Sequence, residues 1–186
     1  MLHKSAIVGF GGMGRDHHFV QVNKLVQDIK VTGAYDLRAE RLEVAKADGL
    51  KTYNSLEECL ADKEIDIIVV ATPNNMHKEL VIKALEAGKN VICEKPVTMN
   101  AAELEEIIAA RDRTGKQFAV HQNRRWDRNF LMAKKAIDEG LLGDPFYIEH
   151  RVQGSGGALY GWRSAKINGG GMLFDWGVHF LDQICG

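Results

Sequence analysis

Only three cysteines and three prolines occur among 186 residues. Cys59, Cys93 and Cys185 are odd in number and widely spaced. They form neither a metal-ligand spacing nor a disulfide framework, so no metal is expected and a reducing compartment is. An excess of one charge is also missing: 24 Lys and Arg stand against 25 Asp and Glu. Nucleic acid and membrane surfaces are therefore not indicated as partners. No apolar run approaches the roughly 18 residues of a membrane span. The opening Met1-Leu2-His3-Lys4 has no signal-peptide apolar core. Internal repeats and low-complexity tracts are lacking too. A soluble cytoplasmic protein is the expectation, long enough for one good core and part of a second.

Glycine, by contrast, is plentiful at 19 residues, concentrated at 9–14 and 154–171. The first cluster is Gly9-Phe10-Gly11-Gly12-Met13-Gly14, which fits G-x-G-x-x-G. It follows the apolar strand 5–8 and precedes a segment, 15–27, with helical apolar spacing at Phe19, Val22 and Val26. A second strand, 29–35, ends at Asp36, close to the position about 20 residues on where an acid grips a ribose 2′-hydroxyl. Strand, glycine turn, helix, strand and acid together point to a dinucleotide site. The glycines admit the pyrophosphate to the backbone, and the helix N-terminus offers unpaired N–H groups. Asp36 favours NAD. Arg38 and Arg41 stand close behind it, as a solvated helix face or as cations for the 2′-phosphate of NADP if Asp36 turns away.

Helices are expected over 37–48 and, behind the capping box Ser55-Leu56-Glu57-Glu58, over a short stretch carrying Leu56, Cys59 and Leu60. Residues 65–70 read as a central parallel strand buried on both faces. It runs into Thr72-Pro73-Asn74-Asn75, whose polar groups are placed to line the nicotinamide ribose or to cap the next helix. His77 reads as a ligand contact or as a first-turn surface residue, with the latter favoured. A helix over 80–87 leads to the strand 90–93. That strand ends in Glu94-Lys95-Pro96, at the sheet edge where ligands bind in open α/β folds. A lysine held there beside apolar packing suits proton chemistry; a charged surface turn is the other reading. A capped helix from Asn100 to about Arg113 and a strand over 117–120 complete an alternating series. The fold class is α/β: a doubly wound, mostly parallel Rossmann sheet, residues 1–122, followed by an incomplete α+β second domain, residues 123–186.

The second part is expected to hold a helix over 127–139 with Leu131, Ala136 and Ile137 inward. A half-buried strand over 146–152 and a glycine-rich loop over 154–157 follow. If the segment after Gly169-Gly170-Gly171 is helical, Asp175, His179 and Asp182 share one face. A carboxylate one turn before an imidazole orients it and raises its pKa, making a general-base pair. Asp175 as a helix cap with His179 as a core residue, or a metal on this face, are the competing readings. A serine hydrolase is disfavoured, since no G-x-S-x-G elbow is present.

Taken together, Gly9 to Gly14, Ala71-Thr72-Pro73-Asn74 with His77, Glu94-Lys95-Pro96, and Gly169-Gly170-Gly171 followed by Asp175-x-Gly177-x-His179 resemble the Gfo/Idh/MocA family of nucleotide-dependent oxidoreductases. The resemblance covers essentially the whole chain. It implies hydride transfer between NAD (NADP as the alternative) and a hydroxyl or carbonyl carbon of a sugar, polyol or cyclitol. By motif position Lys95 is the active-site lysine, and Asp175 and His179 are the proton-transfer pair. Gly9, Gly11, Gly12, Met13, Gly14, Asp36, Arg38, Thr72, Pro73, Asn74, His77, Glu94 and Lys95 fall to the cofactor. The stretch 121–127 is similar to the inositol and sugar dehydrogenase-like branch. Asn123, Arg124, Trp162 and Arg163, with Lys95, Asp175 and His179, are thus substrate candidates. Full-length relatives are expected to be longer and homo-oligomeric, with a large antiparallel sheet of which this chain holds only the beginning. Two alternatives follow: a truncated NAD(P)-binding module with weak catalysis, and an NAD-assisted glycosidase.

Overall fold

The computed structural model describes residues 2–153 and 159–186. The chain divides into two compact units, Met1–His121 and Gln122–Gly186.

The first unit is built on six parallel strands: β1 (His3–Val8), β2 (Ile29–Tyr35), β3 (Lys51–Thr52), β4 (Ile67–Val70), β5 (Asn90–Glu94) and β6 (Phe118–His121). Their order in the sheet is β3-β2-β1-β4-β5-β6, the doubly wound arrangement with its switch point between β1 and β4. Successive side chains leave opposite faces of a strand, and both faces are filled. Ala6 and Val8 of β1, Ile68 and Val70 of β4 and Val91 and Cys93 of β5 enter one core. Ile7 and Val69 enter the other, with Ile92 packed against it. This double burial is why the central strands lack polar alternation.

Each crossover carries a helix. The first begins in wide π turns inside the glycine motif, at Met13–Gln21, and passes into α1 (Val22–Leu25). It therefore starts ahead of the expected Arg15 and stops at Val26, whose backbone is extended. Helix α2 (Ala39–Ala47) starts later than expected, because the Asp36 carboxylate accepts from Arg38 N and holds that residue extended. Helix α3 (Leu56–Ala61) is capped by Ser55 Oγ, which accepts from Glu58 N. Helix α4 (His77–Glu86) is entered through a 3₁₀ turn, Asn74–Met76, and so begins before Leu80. Helix α5 (Ala101–Thr114) is capped by Asn100 at one end and by left-handed Gly115 at the other.

The second unit opens with a 3₁₀ turn, Asn123–Trp126, and helix α6 (Arg128–Asp138). Single turns follow at Gly161–Ser164 and Lys166–Asn168. Wide π turns at Leu173–Gly177 then run into α7 (Val178–Cys185). Two expectations are corrected here. Residues 146–152 form no strand; Phe146 is 99% exposed and Tyr147 71%. A strand needs a partner for its backbone groups, and among the described residues this unit offers none. No residue of α6 is buried either, and Leu131 and Ile137 stand half-exposed rather than inward. The glycine-rich stretch 154–157 lies outside the described residues. Among those described, no helix is long and apolar enough to cross a membrane.

Candidate active site

The carboxyl ends of β1, β2, β4, β5 and β6 converge on one edge of the first unit. Gly9, at the end of β1, has φ +98°, and its N–H donates to Tyr35 O at 2.8 Å. A Cβ on Gly9 would stand 2.7 Å from Ala71 O, and one on Gly14 would collide with the Gly9 carbonyl. These two glycines are fixed by packing. Gly11 and Gly12 differ: the nearest atom to a Cβ on either is 3.9 Å away. The middle of the turn is open, and no side chain caps the helix that follows. Bare N–H groups beside an open backbone fit a pyrophosphate.

Asp36 closes the β2 end. It is 9% exposed, with Oδ2 accepting from Phe10 N at 2.9 Å and Oδ1 from Arg38 N at 3.0 Å and Arg38 Nε at 3.3 Å. At the β4 end, Thr72 Oγ1 is buried with no hydrogen-bond partner. Thr72 stands beside the glycine turn, its Cγ2 3.0 Å from where a Cβ on Gly9 would stand. Asn74, in the next turn, is 3% exposed.

His77 is not a surface residue, and that expectation is corrected. It is fully buried, with Nε2 2.9 Å from Thr72 O and Nδ1 2.9 Å from Pro96 O. Burial pushes its pKa down, although both carbonyls pull the other way. It ties the loop after β4 to the loop after β5. With no exposed surface, it orders these loops.

The carboxylate of Glu94, a cofactor candidate, is held by protein donors. Oε1 lies 2.7 Å from His18 Nε2 and 2.8 Å from His121 Nδ1, and Oε2 accepts from Lys95 N at 3.3 Å. Burial would raise its pKa, but the bonds from His121 and His18 outweigh it and hold the carboxyl well below the usual range. The two imidazole rings are 4.6 Å apart. The donor atoms of His18, Glu94 and His121 lie within 4.8 Å of one another, a two-histidine, one-carboxylate set engaged in hydrogen bonds. Neither histidine was singled out from the sequence. The register pairs Glu94 with His121 on the adjacent strand, and two chemically active residues ending neighbouring strands were the legible signal. Lys95 follows Glu94, half-buried, and its peptide bond to the buried Pro96 is cis.

In the second unit, Asp175 and His179 lie one turn apart where the wide turns pass into α7. Asp175 Oδ1 accepts from Arg163 Nε at 3.3 Å. His179 is 5% exposed, with the Trp176 ring 6.2 Å from its own. Asp182, expected on the same face, is taken up by Arg125, whose Nε and Nη2 donate to it at 2.7 and 2.6 Å. The Arg124 guanidinium stacks 4.3 Å above Trp176 and donates to Asp127, while its carbonyl accepts from Gln183. Arg163 lies over Trp162 at 4.5 Å. Asp175, Trp162 and Arg163 thus form one cluster through Arg163. Arg124 belongs to another with Trp176, and Asn123 opens the turn that precedes α6.

Comparison with known proteins gives the same assignment for both units. Residues 3–122 match the model described as "Oxidoreductase family, NAD-binding Rossmann fold", and residues 130–185 match the GFO/IDH/MocA C-terminal domain. The chain is 35% identical over 189 residues to an uncharacterised oxidoreductase of Schizosaccharomyces pombe, covering 97% of this chain and 50% of that one. It is 32% identical to the scyllo-inositol 2-dehydrogenase (NADP(+)) of Bacillus subtilis, with the same two coverages. The crystal structure of an NAD-binding protein from Listeria innocua superposes with TM-score 0.95 at 47% identity, over 99% of this chain and 54% of that one. The chain spans about half the length of the curated relatives it matches. The chain belongs to the Gfo/Idh/MocA family of oxidoreductases.

Proposed function

We propose that this protein transfers a hydride between a nicotinamide cofactor and a hydroxyl or carbonyl carbon of a sugar, polyol or inositol. The 2.7 Å contact between His18 and Glu94 carries the proposal. It ties the helix of the glycine turn to the residue preceding Lys95, which supports a turn and a lysine that serve one site. The B. subtilis relative named a scyllo-inositol 2-dehydrogenase supports the substrate class.

On this reading residues 1–122 hold the cofactor and residues 123–186 contribute to the substrate side. Gly9, Gly11, Gly12, Met13 and Gly14 take the pyrophosphate, Asp36 and Arg38 the adenosine ribose, and Thr72, Pro73 and Asn74 the nicotinamide ribose. These residues would hold the nicotinamide cofactor, which would supply the hydride chemistry when bound. Lys95 orients the substrate hydroxyl and stabilises negative charge developing on its oxygen. His179 takes the hydroxyl proton, with Asp175 one turn before it to orient the ring. Asn123, Arg124, Trp162 and Arg163 supply the hydrogen-bonding and stacking groups that a polyhydroxy ligand needs.

A second reading, cofactor binding with weak turnover, is favoured by one observation: Phe146, Tyr147 and α6 stand uncovered in the second unit. A panel of polyols and sugars, followed at the NADH absorbance with both cofactors, separates the two. Turnover that Lys95→Met abolishes while cofactor binding persists is the expected result. Full activity in Lys95→Met removes the lysine from the mechanism, and binding without turnover supports the second reading. Net sugar hydrolysis without net NADH would point to a glycosidase.

A further inference from the structure

The triplet Gly169-Gly170-Gly171 is a motif to which the proposed function gives no task. Its surroundings supply one. A Cβ on Gly170 would collide with the Arg163 carbonyl. Gly171 N donates to that same carbonyl at 2.9 Å, and Gly171 O accepts from Asp175 N at 2.9 Å. Gly171 has φ +114°, a conformation that side chains rarely adopt. One glycine thus bridges the backbones of Arg163 and Asp175, and its neighbour leaves room for the bridge. The side chains close the ring, since Arg163 Nε donates to Asp175 Oδ1 at 3.3 Å. The Trp162 ring, 4.5 Å from the guanidinium, supports its plane.

The guanidinium is 36% exposed and the carboxylate 19%, so water screens their attraction. Geometry rather than charge is what the arrangement supplies. A carboxylate free to change rotamer cannot orient a neighbouring ring; one tied at its backbone N–H and at Oδ1 can. Asp175 lies one turn before His179. Resting on the proton-transfer reading above, we infer that Arg163 is a positioning residue: through Gly171 and its own guanidinium it fixes Asp175, which orients His179. The bond to Asp175 uses one of five N–H donors, so this role stands beside the ligand contact proposed for Arg163.

A double-mutant cycle between Arg163→Gln and Asp175→Asn tests the route. Its first reading needs no turnover. Nitrogen resonances of the His179 ring in the cofactor-free chain report which nitrogen carries the proton. Arg163→Gln should shift them and Arg163→Lys should restore them in part. The variant carrying both Arg163→Gln and Asp175→Asn should match Asp175→Asn alone. The second reading is turnover of a polyol with cofactor. Arg163→Gln should lower kcat by about tenfold or more, and should add little to the loss that Asp175→Asn causes. Resonances unmoved by Arg163→Gln overturn the inference, as do effects that add in the double variant or a raised KM with kcat unchanged. A chain that turns over no polyol, yet whose His179 resonances follow the cycle through Asp175, upholds the inference while the hydride-transfer reading fails.

Discussion

Glu94 Oε1 lies 2.7 Å from His18 Nε2, joining two residues 76 positions apart in the chain. His18 belongs to the helix that begins in the glycine turn, and Glu94 immediately precedes Lys95. The contact makes the nucleotide turn and the lysine parts of one assembly. His121, ending the neighbouring strand, completes it from the other side.

Replacing Glu94 by Gln should therefore destabilise the fold, by about 1–3 kcal/mol at pH 7, since a charge-assisted buried acceptor is lost. The folded carboxyl has its pKa depressed below the ordinary range. Its contribution is complete above the unfolded value, about 4.3, and is lost as pH falls below it. Urea unfolding at pH 7 and pH 4 should show the gap between wild type and Glu94→Gln narrowing at the acid end. A gap that stays constant would mean the carboxylate charge contributes nothing.

The sheet and the glycine turn were legible in the sequence because they rest on local signals. Continuous apolar runs at 67–70 and 90–93, a G-x-G-x-x-G after a strand and Ser55 and Asn100 as caps are all readable from neighbours in the chain. The ties among His18, His77, Glu94 and His121 were not. Each joins residues that only the parallel crossovers bring together, and a histidine in a helix looks the same whether it faces water or a carboxylate. The strand expected at 146–152 failed for the complementary reason. Alternation marks a surface with one apolar side, but pairing partners decide whether it becomes a strand.

His77 gives a second prediction. Its pKa is lowered, chiefly by burial, so the unfolded chain takes up the proton first as pH falls. Its contribution is whole above the unfolded value of about 6.5 and is lost on acidification below that. His77→Leu removes the single N–H that the neutral ring donates to one of the Thr72 and Pro96 carbonyls and should cost about 1–3 kcal/mol. Because Pro96 adjoins Lys95, the variant should also lower turnover. Denaturation curves at pH 7.5 and 5.5 check the first point: wild type should lose more stability than His77→Leu over that interval.

The glycine turn separates packing from binding. At Gly14 a Cβ would collide with the Gly9 carbonyl, which the fold itself fixes. Gly14→Ala should lower the melting temperature of the free chain, at about 1–3 kcal/mol or more, as overpacking does. At Gly12 the backbone is already helical, with φ −54° and ψ −52°, and the nearest atom to a Cβ is 3.9 Å away. Alanine there makes only an ordinary contact, with Asp16 Oδ2, so Gly12→Ala should leave the melting temperature unchanged or slightly raised. The added methyl would instead stand on the open side of the turn, where the pyrophosphate must approach the backbone. Dinucleotide affinity should fall by about tenfold or more. Melting curves with and without cofactor read both effects in one experiment. A Gly12→Ala chain that binds as wild type does would place the pyrophosphate elsewhere than on this turn.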